Sequence, residues 1–372
     1  MTWGEVGAMR SAERVAVIGT GLIGTSIAMA GARAGDQVRG FDADPDALSR
    51  AVERAGLIPA TDLDECVRGA TIVFVCTPIP VAAELVVEAL GLAPDAVVSD
   101  VASVKSHVMV EVESRARVDG LRRYVGGHPM GGSERSGPDH ASPSVLDGIV
   151  WVVTPAERSD DASIARLEGW VSRVGARPIR MDAERHDRLV AMVSHLPQVA
   201  STALMGLAAS EEAGEPEILL LAAGGFRDLT RLAASNPHLW SDILLANGAA
   251  IGRAIDLYVE RLEALRDLVV AEDGGGVESA FALAKTARLQ LAAKPQVRAG
   301  VAVLQVPVPD RPGVLAELTS TMGEAEVNIE DLQIVHSPEG GRGTVHLTVA
   351  VDTVEAAERA LRERWFESTR LA

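Results

Sequence analysis

Aromatic side chains are scarce in this sequence, Phe, Tyr and Trp together making up 3% of its 372 residues. The interior must therefore be built from Ala, Val, Leu and Ile, and each of the five tryptophans stands out. Cysteine is scarcer: Cys66 and Cys76 are two in all, too few for a metal cage, and a reduced cytoplasmic setting is the simplest reading. Positive charge is in deficit, with 35 Lys and Arg against 52 Asp and Glu and a net charge of −17. A nucleic acid or an anionic membrane would meet net repulsion, so an anionic substrate needs a local pocket of positive charge. No run approaches the ~18–20 apolar residues that span a bilayer. The opening MTWGEVGAMRSAER has no apolar segment of the kind that leads a secreted chain. A soluble, cytoplasmic protein is expected.

What is present is alternation. The length calls for two or three domains. From Arg14 the chain reads RVAVIGTGLIGTSIAMAGARAGDQVRGFD, which is strand, glycine turn, Ala-rich helix, strand. The runs TIVFVCTP, AVVSDV and GIVWVVTP add strands with helical stretches between them, which predicts a parallel sheet covered on both faces. A Rossmann-type α/β domain is assigned to residues 13–180. Residues 181–294 show helix periodicity without a convincing strand and read as an all-α domain. Its Ala- and Leu-rich surface predicts burial against a second copy, a homodimer. Within it EDGGGVESA reads as a flexible loop. Residues 299–372 follow the order β-α-β-β-α, a small α+β module of ferredoxin-like type. No long-period repeat is present.

Gly19, Gly21 and Gly24 form G-x-G-x-x-G between a predicted strand and a predicted helix. The first glycine allows a tight turn, the second a close approach of backbone to a pyrophosphate, and the third tight helix–strand packing. Asp42 follows 23 residues after Gly19, at the end of the second strand, where a carboxylate binds both ribose hydroxyls of NAD and repels the 2′-phosphate of NADP. NAD is the expected cofactor, with Leu22, Ile23 and Thr77 completing its contacts. Arg39 is the one nearby group that would suit NADP.

Four further segments are unusual in composition. In SDVASVKS, Ser103 and Lys105 fall at the carboxyl end of the sheet, where doubly wound folds place ligands, although Ser103 could simply cap a helix. In YVGGHPMGGSERSG, Gly126, Gly127 and Pro129 leave the His128 imidazole uncrowded, suited to a general base near working pH. Ser133, Glu134 and Arg135 follow, either around an anion or as a solvated loop. In HDRLVAMVSHLPQ, His186 and His195 are nine apart, ~180° around a straight helix. At most one of the two is then expected in a site, and a metal pair is disfavoured; His195, two residues before Pro197, is the candidate, with a satisfied core histidine as the other reading. In GGFRDLTRLAASNPHLW, Arg227 and Arg231 lie one turn apart and could clamp a carboxylate, or belong to an ion-paired surface helix.

These segments, in this order, resemble the prephenate dehydrogenase family, in the bacterial form with a C-terminal ACT domain. VIGTGLIGTSIA, the SVK turn, GGHPMGGSERSG, VSHLPQ, GGFRDLTRLAASNPHLW and DRPGVLAEL…VNI carry the resemblance over nearly the full length. The resemblance implies NAD-dependent oxidation of prephenate with loss of CO2 to give 4-hydroxyphenylpyruvate in tyrosine biosynthesis, without a metal. It implies that His128 accepts the proton of the ring hydroxyl and that Ser103 shares that hydrogen bond and orients the imidazole. His195 is similar to the family's second active-site histidine and Arg231 to its carboxylate-binding arginine. Ser133 and Glu134 match polar positions around the substrate, the family often having Thr at the former. Trp240 resembles a residue that reaches towards a neighbouring subunit's site. The last module resembles an ACT domain, which implies tyrosine or phenylalanine as effector. The turn Asp310, Arg311, Pro312, Gly313 and Val314 would offer backbone amides to its carboxylate, and Asn328 would meet its head group.

Arogenate is the alternative substrate, since the same ring chemistry would serve it. A β-hydroxyacid dehydrogenase also joins a Rossmann domain to helices, but it relies on a lysine in the helical part and none lies between Met181 and Val270. A sensor of NAD and amino acids that lost turnover is disfavoured by the joint presence of Ser103, His128 and Arg231. The three regions leave no room for a chorismate mutase segment.

Overall fold

The computed structural model describes residues 12–131, 137–211, 214–215, 217–293, 301–309, 311–336 and 342–371. The chain forms two packed units, Met1–Asp267 and Leu268–Ala372. The first begins with β1 (Arg14–Ile18), β2 (Gln37–Phe41), β3 (Ile58–Pro59), β4 (Ile72–Val75) and β5 (Val97–Asp100). They form a parallel sheet in the order β3-β2-β1-β4-β5. The IVFV of β4 and VVSD of β5 are buried at every position, as strands covered on both faces require. Helix α1 (Leu22–Arg33) leaves β1 through the glycine turn.

The sheet does not stop at β5. A second set, β6 (Val125–Pro129), β7 (Val150–Pro155) and β8 (Arg177–Arg180), follows. Here β7 runs antiparallel to β6 and parallel to β8, which departs from the all-parallel expectation. Tyr124 bridges Val98 in the parallel sense, so β6 runs the same way as β5. The residues ending β6, His128 and Pro129, therefore share the carboxyl edge with the turns that follow β1, β4 and β5.

The VGGHP stretch is held as a tightly packed strand. Gly126 and Gly127 are there because β6 is tightly flanked. A Cβ on Gly126 would lie 2.5 Å from Thr154 Oγ1, and one on Gly127 would lie 2.8 Å from Trp151 Nε1 and 2.9 Å from Ser99 Oγ. The scarce aromatics meet in the adjoining core: Phe74 and Trp170 have ring centroids 4.5 Å apart, and Trp151 lies 5.9 Å from Phe74.

At residue 181 the architecture changes while the packing continues. Asp182 accepts from Arg185 N at 2.7 Å and caps the helix Ala183–Val190. A wide π-type turn, Ala191–His195, follows, in which Leu196 N bonds to Ala191 O five residues back. Pro197 accounts for it, because its ring has no N–H and crowds the carbonyl four residues before it. The helical run Ala183–Glu211 is long and apolar enough to cross a membrane by length and composition. Yet it buries His186, Asp187, His195 and Gln198 inside the protein. Its solvent side carries exposed Met192, Val193 and Leu207, and Leu220, Leu229 and Leu245 are exposed further on.

EDGGGVESA is not a loop throughout. Asp273 Oδ1 accepts from Gly276 N at 3.0 Å, and the glycines start the helix Gly274–Ala293. In the second unit β9 (Val301–Pro309), β10 (Ile329–His336), β11 (Arg342–Ala350) and β12 (Thr369–Leu371) make an antiparallel sheet ordered β10-β11-β9-β12. Leu304, Val306 and Leu347 of its covered face are buried with Leu318 and Leu361 of the helices Val314–Glu324 and Val354–Glu363. The closing strand β12 was absent from the sequence reading: TRL is too short and too exposed to show a period.

Candidate active site

The glycine turn is shaped for a dinucleotide. Gly19 has φ +90° and donates its N–H to Phe41 O at 2.8 Å. A Cβ at Gly24 would lie 1.9 Å from Gly19 O, so α1 can approach β1 only with glycine there. A Cβ on Gly21 meets nothing within 4 Å, which leaves open space at the start of α1 beside half-exposed Leu22 and Ile23. Thr77 packs against the turn, its Cγ2 2.9 Å from the Cβ position of Gly19, and its Oγ1 is buried without a partner. Open space over a helix N-terminus and an unpaired hydroxyl beside it fit a bound pyrophosphate.

Asp42, at the end of β2, accepts from Thr20 N at 2.6 Å, Thr20 Oγ1 at 3.0 Å and Asp44 N at 2.9 Å. The carboxylate is thereby held in place, with one lone pair of Oδ1 left for a ribose hydroxyl. Arg39 Nη1 donates to Glu65 O at 2.6 Å.

His128 sits at the carboxyl edge, half-buried, with its Nδ1 2.9 Å from His186 Nε2. His186 Nδ1 lies 2.8 Å from Asp187 Oδ1. Asp187 in turn receives Lys105 N and Ser106 N, each at 2.8 Å, and so caps the helix Ser106–Arg115 from another element. His195 is in the same cluster: Asn247 Nδ2 lies 3.2 Å from His195 Nδ1 and donates to Asp187 O at 2.9 Å. His186, Asp187, His195 and Asn247 are all buried.

This placement overturns the expectation that only one of His186 and His195 could face a site. Each residue of a π-type turn sweeps less than the ~100° of an α-helix, so Ala191–His195 reduces the offset below a half-turn and both rings converge. Burial, then the neighbouring His186 and Lys105, hold the His128 imidazole well below its ordinary pKa. Burial pushes His195 down to about 4 against the opposing pull of Asp187. Burial raises the Asp187 carboxyl, but the donors from His186, Lys105 and Ser106 outweigh it and leave it below the usual carboxylate range.

Ser103 lies in the turn after β5, half-exposed, and it does not hold the imidazole; His186 does. It is not the helix cap either, since that helix starts at Ser106. Lys105 faces inward. Its ammonium pairs with Asp100 and donates to Gly127 O at 2.7 Å, and Tyr124 OH donates to the other Asp100 oxygen at 2.8 Å. This fully buried pair fastens β6 to β5 immediately before His128.

Arg231 stands exposed on a short turn, Arg231–Ala234, held by Gln198 Nε2 donating to Leu232 O at 2.8 Å. Gln198 is three residues beyond His195, so this turn is tied to the histidine cluster. Arg227 is also exposed. Trp240, expected to reach towards a neighbouring subunit's site, packs within its own chain, edge-on to His195 with centroids 6.0 Å apart. Ser133, Glu134 and Asp310 lie outside the described residues.

Residues Arg311, Pro312, Gly313 and Val314 line a pocket of about 470 Å³ together with Val308 and Ile334. The amides along this turn are partly engaged. Arg311 N bonds to Pro309 O at 3.0 Å, Val314 N to Arg311 O at 3.4 Å, and Pro312 has no N–H. Gly313 turns between them with φ +89°. Asn328 donates to Glu330 Oε1 at 2.8 Å and does not line the pocket.

Sequence reasoning missed His186, Asp187 and Asn247. The His-Asp dipeptide was a visible signal, and a helix taken as straight turned it away. Nothing local marks Asn247.

Comparison with known proteins gives three consecutive matches. The pattern described as "Prephenate dehydrogenase, nucleotide-binding domain" matches residues 27–180, "Prephenate dehydrogenase, dimerization domain" matches 182–283, and "ACT domain" matches 302–366. The chain is 29% identical to the prephenate dehydrogenase of Bacillus subtilis, over 95% of this chain and 96% of that one. It is 32% identical to the cyclohexadienyl dehydrogenase of Zymomonas mobilis, over 77% of this chain and 98% of that one. Among solved structures, prephenate dehydrogenase from A. aeolicus in complex with hydroxyphenyl propionate and NAD+ superposes with a TM-score of 0.71 at 27% identity, covering 76% of this chain and 99% of that one.

Proposed function

The chain belongs to the prephenate dehydrogenase family, and from that premise we propose that it catalyses the NAD-dependent oxidative decarboxylation of prephenate to 4-hydroxyphenylpyruvate in tyrosine biosynthesis. The observation that carries this reading is His128, an imidazole kept neutral at the carboxyl edge that also bears the glycine turn. Gly19, Gly21, Leu22, Ile23, Gly24, Asp42 and Thr77 are assigned to NAD, which when bound supplies the hydride acceptor. His128 takes the proton of the ring hydroxyl as the carbon beneath it is oxidised. The carbonyl so formed is conjugated through the ring to the carboxylated carbon, so the electrons of the departing CO2 have a sink and the ring becomes aromatic. Arg231 is assigned to a substrate carboxylate, with Ser103, His195, Ser133, Glu134 and Trp240 around the substrate.

The exposed apolar side chains of the helical region support a homodimer formed through it, as the dimerisation-domain match suggests. The pocket beside Arg311–Val314 supports an amino-acid effector, for which tyrosine is the reading and phenylalanine the variant, and Asn328 would act only from a neighbouring module. A cytoplasmic location accords with such an enzyme. The test is NADH formation from prephenate by the purified full chain, repeated with arogenate, with NADP and with added tyrosine. Turnover with prephenate and NAD that tyrosine lowers is the expected result. Turnover confined to arogenate moves the substrate assignment, and no turnover with either removes the function.

A further inference from the structure

The contacts behind His128 determine more than its position. Asp187, held ionised by the donors around it, can only accept, so the proton in the 2.8 Å contact with His186 resides on His186 Nδ1. An imidazole that holds its single proton on Nδ1 has a bare Nε2, and that atom of His186 lies 2.9 Å from His128 Nδ1. The second contact is bonded only if His128 Nδ1 carries hydrogen, which leaves the lone pair of His128 on Nε2. The chain of donors ends in backbone: Lys105 N and Ser106 N hold Asp187 at 2.8 Å each, and Asn247 holds its main-chain oxygen.

We propose that His186 is a positioning residue that, anchored by Asp187, locks His128 in the tautomer whose Nε2 is the proton acceptor and shares the positive charge once that proton arrives. This rests on His128 being the base of the proposed reaction. As the hydroxyl O–H bond breaks and the Nε2–H bond forms, His128 becomes an imidazolium whose Nδ1–H already points at His186 Nε2. At most that second proton moves along the 2.9 Å contact, placing the charge on a ring paired with Asp187. No proton is lost to solvent, and none is needed from it. In a free histidine side chain the Nε2–H tautomer is favoured, so without His186 the base would mostly present an N–H to the substrate. The three-residue arrangement does through two rings what the carboxylate of a Ser-His-Asp triad does through one contact, where the wrong tautomer costs ~10⁴ in kcat.

The experiment pairs His186→Leu, which removes the acceptor, with His186→Gln, whose amide oxygen can still accept from Nδ1. The first readout needs no turnover: ¹⁵N chemical shifts of the histidine-labelled full chain, with the His128 signal assigned by its loss in His128→Asn. The Nδ1–H tautomer is expected in the wild type and in Gln, and the Nε2–H tautomer in Leu. The second readout is kinetic: Leu is expected to lower kcat ~10²–10³-fold with KM within a few-fold, and Gln to restore at least ten-fold of the loss. The Nε2–H tautomer in the wild type overturns the proposal, as does an equal kcat loss in both variants at unchanged His128 tautomer. If wild-type enzyme showed the Nδ1–H tautomer but no prephenate turnover, the functional reading would fall while the tautomer lock stood.

Discussion

At the scale of single residues, the chain's few unusual side chains act through where their protons sit. In the proposed reaction His128 is useful because it is neutral when substrate arrives, and burial beside His186 and Lys105 is what keeps it so. The expected consequence is that His128→Asn lowers kcat by ~10²–10⁴-fold while substrate still binds, since only the proton acceptor has gone. Steady-state kinetics with prephenate and NAD, with binding followed by nucleotide fluorescence, check this; near-normal turnover would remove the base assignment. Lys105 is the contrasting case. A lysine at the carboxyl edge of such a sheet reads as an anion binder, yet its ammonium is buried against Asp100 and Gly127 O and works as a fastener. Residue type and neighbourhood in sequence could not separate these two roles.

At the scale of elements, two departures from regular structure make the site. The first is β6, a strand whose glycines exist for the neighbours' sake. In Gly127→Ala the new methyl would lie 2.8 Å from Trp151 Nε1 and 2.9 Å from Ser99 Oγ, with Asp100 O at 3.1 Å. Backbone on one side and a packed indole on the other cannot give way cheaply, so a loss of about 1–3 kcal/mol is expected, with a fall in kcat as His128 shifts. Urea denaturation and turnover measured on the same preparation decide it: unchanged values for both would show that β6 is looser than its contacts imply. The second departure is the π-type turn Ala191–His195. It brings His195 round to the cluster that His186 already occupies, and the proline two residues later gives its physical cause.

At the scale of the whole molecule, burying imidazoles makes stability depend on pH. The folded-state pKa of His195 is about 4, and that of His128 is also lowered, against ~6.5 in an unfolded chain. Between those values the unfolded chain binds protons that the folded one refuses. The stabilisation is therefore complete above pH ~6.5 and is lost as the pH falls towards 4. Each such imidazole contributes a slope of up to ~1.4 kcal/mol per pH unit in that window. The urea midpoint is expected to drop steadily from pH 7 to pH 5, and to drop less steeply in His195→Leu once its lower starting stability is subtracted. A midpoint that stays level across that range would mean the two rings are hydrated in the folded protein.

Much of this molecule could be read before any coordinates, for reasons that are local. A glycine triplet between an apolar strand and an Ala-rich helix has one sensible backbone path, and an acidic residue at the end of the next strand must fall near it. Runs such as IVFV and alternation such as VAVLQVPV carry their own period, so the doubly wound, helical and small α+β regions show themselves in the pattern, while the resemblance supplied the ACT reading. Single short elements did not: β12 has three exposed residues, and β6 is rich in glycines that look like loop until Thr154 and Trp151 are placed beside them. What only the tertiary structure decided is the wiring of the site. His186 meets His128 across 58 residues, Asp187 caps a helix 81 residues before it, and Asn247 reaches His195 from 52 residues on. Those contacts depend on how a helix is wound around its proline and docked against a sheet, and no window of sequence contains both partners.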